Sequence, residues 1–213
     1  MINVITVERE YGSGAGTIAK KLADRLGWSL WDRQITCEIA RRLKCDEKAV
    51  EEREERLDST FYRLAKIFMR GSYEESYTGG GMEMLDAEGL SHAFERIIKD
   101  IASKGNSIIV GRAAPWFLRD RPDTFHVFIY ASYQEKLRRL LALGNTKADA
   151  ERLLETVDDE RAAFIKRYYK KTWPQRDLYH MMINSKVGDQ AVMDLILTEI
   201  DMLDRTKRES RPA

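Results

Sequence analysis

Read as apolar and polar positions, the chain alternates short β-branched runs with longer stretches of helical period. Ile2-Asn3-Val4-Ile5-Thr6-Val7 has the composition of a central parallel strand, buried on both faces. Ile18, Leu22 and Leu26 then recur every four residues, with Gly27 placed as a helix stop. Trp28-Ser29-Leu30-Trp31 is a second short strand. Gln34–Leu43, with Ile35, Ile39 and Leu43 on one stripe, predicts a helix. Asp46 caps another over the charged run Glu47–Arg53, and Phe61–Met69 forms an apolar-rich helix. From Arg70 to Met82 no period survives, and Gly79-Gly80-Gly81 marks a mobile loop, either closing over a ligand or merely connecting. Leu90, Phe94, Ile97, Ile98 and Ile101 predict a helix over Ala87–Ser103, ended by Gly105. Strands follow at Ser107–Val110, Thr124–Tyr130 and Tyr179–Asn184. Helices are predicted over Tyr133–Leu143, Thr146 to about Lys171, and Asp189–Leu203.

Alternating strands and helices imply an α/β fold: about five mostly parallel strands with helices on both faces. The expected organisation is one domain over 1–204, with residues 205–213 a polar, frayed tail. Nothing in the chain repeats. Its 213 residues suffice for a full core. Its 36 basic and 35 acidic residues leave a net charge of +1, which argues against a broad nucleic-acid or membrane-binding face. No apolar run approaches the ~20 residues that span a bilayer. The start runs straight into a strand, without the organisation of a signal peptide. Cys37 and Cys45, the two cysteines, have no second pair to make a metal site, and reduced thiols in a cytoplasmic protein are expected.

Chemistry concentrates where the first strand meets the first helix. Glu8-Arg9-Glu10-Tyr11 leads into Gly12-Ser13-Gly14-Ala15-Gly16-Thr17. A glycine-rich turn between strand and helix lets backbone amides curl around an anion, backed by the helix dipole. Against the phosphate-loop pattern G-x-x-x-x-G-K-[ST], Gly14 takes the second glycine, Arg9 the place of the first and Ala15 that of the lysine. The match is partial, and a turn that binds nothing is the alternative.

Other polar residues fall just past strand ends, where an open α/β sheet forms its ligand crevice. Asp32 and Arg33 follow the second strand, as substrate or magnesium contacts or, for Asp32, as a helix cap. Arg112 follows the third, as a phosphate fork or a structural ion pair. His126 reads as a core histidine. Arg161 and Arg167 are about 120° apart on an ideal helix and share no ridge unless the helix kinks.

Taken in order, Val4–Gly14, Trp31-Asp32-Arg33, Ile108–Ala114 and Asp159–Tyr169, with Trp173, Leu178-Tyr179 and Ile183-Asn184, resemble the cytidylate kinase-like family of P-loop proteins over essentially the whole chain. The resemblance implies a three-layer P-loop kinase-like fold. It implies a helical acceptor-binding insertion at 44–90 and a lid over 133–171. The activity implied is transfer of the γ-phosphoryl of ATP, with Mg2+, to a small phosphate-bearing acceptor, a pyrimidine nucleoside monophosphate such as CMP or dCMP. Gly12, Ser13, Gly14, Ala15, Gly16 and Thr17 would hold the donor phosphates. Asp32, Arg33, Gly111 and Arg112 would meet the acceptor. Arg161 and Arg167 would act as lid arginines, and Thr17 and Asp32 would hold magnesium.

Departures accompany the resemblance. Ala15 replaces the loop lysine, whose loss should cost roughly a thousandfold in rate unless another cation substitutes. Arg9 is the preferred substitute, before Lys20 and Lys21. Val110 and Ala113 stand where bacterial cytidylate kinases carry acids around Gly-Arg. Two other functions therefore stay open: a nucleotide-binding regulatory protein that has lost catalysis, and an interaction scaffold. Oligomeric state is not encoded in any motif.

Overall fold

The computed structural model describes residues 1–32, 35 and 87–209. Arg33, both cysteines, the segment from Thr36 to Asp86 with the helices and loop expected there, and residues 210–213 lie outside them.

Five strands form one sheet: β1 (Val4–Arg9), β2 (Ser29–Trp31), β3 (Ser107–Val110), β4 (Thr124–Tyr130) and β5 (Met181–Asn184), in the order β2-β3-β1-β4-β5. Every pairing is parallel. Val7 of β1 sits opposite Val110 of β3 and Val127 of β4, so β1 is the central strand that its composition predicts. All six of its residues are buried.

The pleat sends alternate β1 side chains into two apolar layers. Ile5 and Val7 face a cluster with Ile18 and Leu22 of α1 (Ala15–Leu26) and Val192 and Ile196 of α6 (Asp189–Glu209). Val4 and Ile109 face Phe94, Ile97 and Ile98 of α2 (Ala87–Ser103), joined by Trp116 of the short α3 (Ala114–Phe117) and by Phe164. Burying each such side chain is worth about 1.5–3 kcal/mol, which drives the sheet into the middle layer. A third, smaller cluster joins Tyr11 to Leu140 of α4 (Tyr133–Ala142) and to Ala150 and Val157 of α5 (Lys147–Phe164). This helical hairpin therefore sits on the loop after β1.

Strand ends shift by up to two residues, β1 running to Arg9 and β5 starting at Met181, and two helix ends differ more from the sequence expectation. The helix expected to run to Lys171 ends as an α-helix at Phe164. A π-helical turn follows over Ile165–Tyr169, and Lys170, with φ 55°, leaves it in the left-handed region. The run keeps a helical composition, so periodicity does not see the change of hydrogen-bonding step. At the other end α6 continues to Glu209 instead of stopping at Leu203, and residues 205–209 are helix, not tail. Asp204 explains part of that extension, since it accepts the Ile2 amide at 2.8 Å and ties the helix to the first residues of the chain.

Candidate active site

The strand order reverses around β1, which puts the crevice at the carboxyl ends of β1, β3 and β4. The loop there is built by its glycines. Gly12 (φ 73°) and Gly14 (φ 81°) are left-handed, a region costing other residues ~1–2 kcal/mol. Gly14 is the residue before α1, no side chain caps the helix, and the Ile18 amide donates to the Gly14 carbonyl at 3.2 Å. The amides of Ala15, Gly16 and Thr17 are the ones an α-helix cannot satisfy itself, and here they open the helix toward the crevice. Thr17 is exposed on that first turn.

A cavity of about 190 Å3 lies over the loop, lined by residues 9–17, by Arg139, Leu140, Ala142 and Leu143 of the hairpin region, and by Arg161. Ser13 is among the lining residues, and its hydroxyl is buried without a hydrogen-bond partner among the described residues.

Beside the cavity three buried arginines converge. Arg112 is 1 % exposed and follows Gly111 past the end of β3; its Nη2 lies 4.0 Å from Asp32 Oδ1. Burial pushes the Arg112 guanidinium down to about 10, opposed by Asp32, with Arg9 and Arg161 pushing the same way as burial. Arg161, on α5, donates from Nη1 to the Arg9 carbonyl at 3.0 Å and to Asp158 Oδ1 at 2.6 Å. Its guanidinium lies 5.1 Å from the centre of the Trp173 ring, and Trp173 Nε1 donates to Glu8 at 3.2 Å. Burial also lowers the Arg161 pKa, and Arg9 adds to the effect. Arg9 lines the cavity and packs its guanidinium on Gly111: a Cβ built there would overlap its Nη1 and stand 3.0 Å from its Cζ. These three cations are offset by the buried carboxylates of Glu8 and Asp32 and by Asp158. Desolvating three arginines is costly and needs such carboxylates nearby, and groups perturbed in this way gather at functional sites.

The backbone at Arg112 carries the same mark. Gly111, Arg112 and Ala113 are all left-handed, with φ of 67°, 63° and 56°. Two consecutive non-glycine residues in that region store on the order of 1–3 kcal/mol each, and such strain clusters at functional sites.

The sequence candidates thus separate. The structure brings Arg9, Arg112, Arg161, Gly111 and Asp32 together next to the loop residues Gly12 to Thr17. Arg167 lies exposed on the π-helical turn and is not among the residues lining the cavity. Lys20 pairs with Asp24 at 3.1 Å and Lys21 with Asp189 at 2.9 Å, both on the outer side of α1. His126 is a core residue: its Nδ1 is 2.7 Å from Thr6 Oγ1, and its ring stacks on His180 at 5.2 Å.

Sequence reasoning missed three groups. Glu8 is a buried carboxylate facing the arginines. Asp158 accepts the Tyr11 amide at 3.0 Å as well as Arg161. Arg139 packs on Gly14, where a Cβ would overlap its Nη1 and stand 2.7 Å from its Cζ. A signal existed for Asp158, three residues before Arg161, but none for Arg139, whose pairing with Glu135 four residues earlier reads as a solvated helix face.

No cluster of three or more His, Cys, Asp or Glu among the described residues could hold a metal. Mg2+ bound with a nucleotide needs less, one or two protein oxygens plus phosphates and water, and the exposed Thr17 hydroxyl and the Asp32 carboxylate are donors of that kind.

A parallel sheet of this order, with a glycine loop opening α1 and a helical hairpin over it, is a P-loop kinase fold. The chain belongs to the cytidylate kinase-like family, whose sequence profile matches residues 4–187. Among solved structures it is similar to an uncharacterized protein from Eubacterium ventriosum ATCC 27560, with 23% identity, a TM-score of 0.64, and coverage of 95% of this chain and 99% of that one. It is also similar to shikimate kinase from Bacteroides thetaiotaomicron, with 16% identity, a TM-score of 0.50, and coverage of 95% and 98%. No curated protein matches the chain. No helix among the described residues is long and apolar enough to cross a membrane.

Proposed function

We propose that the protein transfers the γ-phosphoryl of ATP to a small acceptor that carries a phosphate, with a pyrimidine nucleoside monophosphate (CMP or dCMP) as the favoured class. An oxygen of the acceptor phosphate attacks the γ-phosphorus, the bond to the β–γ bridging oxygen breaks, and ADP leaves. The observation that carries this reading is the set of buried arginines, Arg9, Arg112 and Arg161, beside a glycine loop at a helix N-terminus. Phosphoryl transfer is positioning plus charge stabilisation, and those are the two things this arrangement can supply.

In this reading the amides of Gly12 to Thr17 hold the donor phosphates. Arg112, kept in place by Asp32, forks onto the acceptor phosphate. Arg161, held by Asp158 and the Arg9 carbonyl, and Arg9, held against Gly111, lie between the two groups and offset charge on the moving phosphoryl. Thr17 and Asp32 would hold Mg2+, which supplies charge neutralisation at the phosphates. The family favours a cytidylate-type acceptor, and Arg33 and the 44–90 segment are where its base would be read. Ala15 favours a second reading, a nucleotide-binding protein without turnover.

The test is turnover by purified protein with ATP and magnesium against a panel of nucleoside monophosphates and shikimate, with Arg112→Ala as control. Transfer to CMP or dCMP that falls at least a hundredfold in the variant, about 2.7 kcal/mol, supports the kinase. Nucleotide binding without transfer to any acceptor supports the second reading. Transfer to shikimate alone overturns the assigned acceptor class.

A further inference from the structure

Ala15 leaves the loop without the lysine of the phosphate-loop pattern, at a position that lines the cavity while its methyl packs into the core. It is 2 % exposed and belongs to the apolar cluster with Val7, Ile18 and Ala19. With alanine there, the charge has to come from another residue.

Arg9 packs its guanidinium on Gly111, at the β3 side of the crevice, and not on the turn at Gly14. Lys20 and Lys21 do not supply the charge, being held by Asp24 and Asp189. Arg161 also lines the cavity but is held by Asp158 and the Arg9 carbonyl, whereas another cation lies on the loop itself. The Arg139 guanidinium reaches from α4 onto Gly14, the residue before the α1 N-terminus, and lines the cavity with Ser13. Lys136, one turn earlier, passes its Cβ beside Gly12 but sends its ammonium to Glu10 at 2.6 Å.

We infer that Arg139 is the phosphate-binding cation of this loop, supplied from the helix after β4 in place of the lysine absent at Ala15. The inference rests on the reading that nucleotide phosphates occupy the loop. The way Arg139 is held agrees with it. Nε donates to Glu135 Oε1 at 3.0 Å, while Nη1 and Nη2 each lie 3.4 Å from Asp189 Oδ1. The Nε bond is the shorter tie and the two contacts to Asp189 are the longer ones, beyond the 2.7–2.9 Å usual for charge-assisted bonds. Asp189 is itself occupied by Lys21 on its other oxygen at 2.9 Å. An anion with several charges can therefore take the outer edge of Arg139 without unseating Nε. Beside it, the buried Ser13 hydroxyl has no hydrogen-bond partner among the described residues. Arg139 also gives Gly14 a second reason to be glycine: besides its left-handed φ, any side chain there would displace the guanidinium.

The experiment is titration calorimetry of the full chain with ATP, inorganic triphosphate and adenosine, for the wild type, Arg139→Gln and Arg139→Lys, with melting temperatures as the control for folding. The expected result is a loss of at least tenfold in affinity for ATP and for triphosphate in Arg139→Gln, with adenosine unchanged, and recovery of most of the loss in Arg139→Lys. Equal losses for ATP and adenosine would make Arg139 a contact to the base and overturn the inference. So would unchanged ATP affinity in Arg139→Gln while the wild type binds ATP, a result that leaves the kinase reading standing. A wild type that binds neither ATP nor triphosphate removes both.

Discussion

The guanidinium of Arg9, at the end of β1, fills the space where Gly111, at the end of β3, has no side chain. The contact joins the end of β1, just before the glycine loop, to the β3 side of the crevice through one buried residue. Gly111→Ala therefore has two consequences. The new methyl sits at φ 67°, which costs ~1–2 kcal/mol of stability, and it displaces Arg9. We expect kcat/KM to fall at least tenfold in this variant, more than the shift in urea midpoint accounts for. A variant that melts earlier but turns over normally would remove Arg9 from the chemistry.

Asp32 and Arg112 are coupled by burial more than by contact. At 4.0 Å the pair is long, yet both side chains are almost fully enclosed, and Arg9 and Arg161 repel Arg112. Removing Asp32 takes the largest opposing charge from a buried guanidinium that faces Arg9 and Arg161, at a cost of about 3 kcal/mol. Removing both should cost less than the sum of the singles. Urea denaturation of Asp32→Ala, Arg112→Ala and the double variant should give a coupling of at least ~1 kcal/mol. Strict additivity would mean that other partners hold Arg112.

Acid should loosen the far half of the sheet before it touches the crevice. His126, in β4, is pushed down to about 4 from its usual 6.5 by burial and by the adjacent His180. His180 Nδ1 accepts the His126 amide at 2.9 Å, and its own pKa is lowered too, again by burial first. An imidazole that stays neutral when folded but takes a proton when unfolded makes stability rise with pH. The contribution from His126 is fully present above about pH 6.5 and is lost progressively down to its folded value. A shift of that size corresponds to ~3 kcal/mol across the whole window. Melting temperatures from pH 7 to pH 5 should fall in the wild type and much less in His126→Phe. Equal slopes in the two proteins would place the acid sensitivity elsewhere.

The sheet was legible because its strands obey local rules. Val4–Val7, Ser107–Val110 and Thr124–Tyr130 are apolar runs with β-branched residues, and the structure places all of them inside a parallel sheet. The helix over Ala87–Ser103 was legible to the residue, because Gly105 ends it and its apolar spacing is regular. The loop was legible from Gly12 and Gly14. What was not legible depends on long-range docking. Arg112 and Ala113 give no composition signal for left-handed backbone, as a glycine would. The π-helical turn at Ile165–Tyr169 has side chains that would suit an α-helix equally well. Arg139 looks like one half of a surface ion pair until α4 is laid on the loop.

Asp158 decides whether the helical hairpin is a fixed wall or a moving one. Its carboxylate accepts the Tyr11 amide at 3.0 and 3.1 Å, Arg161 Nη1 at 2.6 Å, and faces Lys136 at 3.8 Å. These ties compete for importance with the apolar cluster of Tyr11, Leu140, Ala150 and Val157. Burial of that cluster is worth several kcal/mol and should keep the hairpin docked when the carboxylate is changed. The polar ties, each ~1.5–3 kcal/mol as bonds to a charged group, fix the angle at which Arg161 enters the crevice. Asp158→Ala should therefore keep the fold, with a melting point a few degrees lower, and lose ten- to a hundredfold in kcat with a smaller change in KM. Hydrogen exchange should quicken at the Tyr11 amide and stay slow through the middle of α5. If exchange quickens along the whole of α5 instead, the carboxylate and not the apolar cluster holds the hairpin down, and the kinetic loss then reports an opened lid in place of a misplaced arginine.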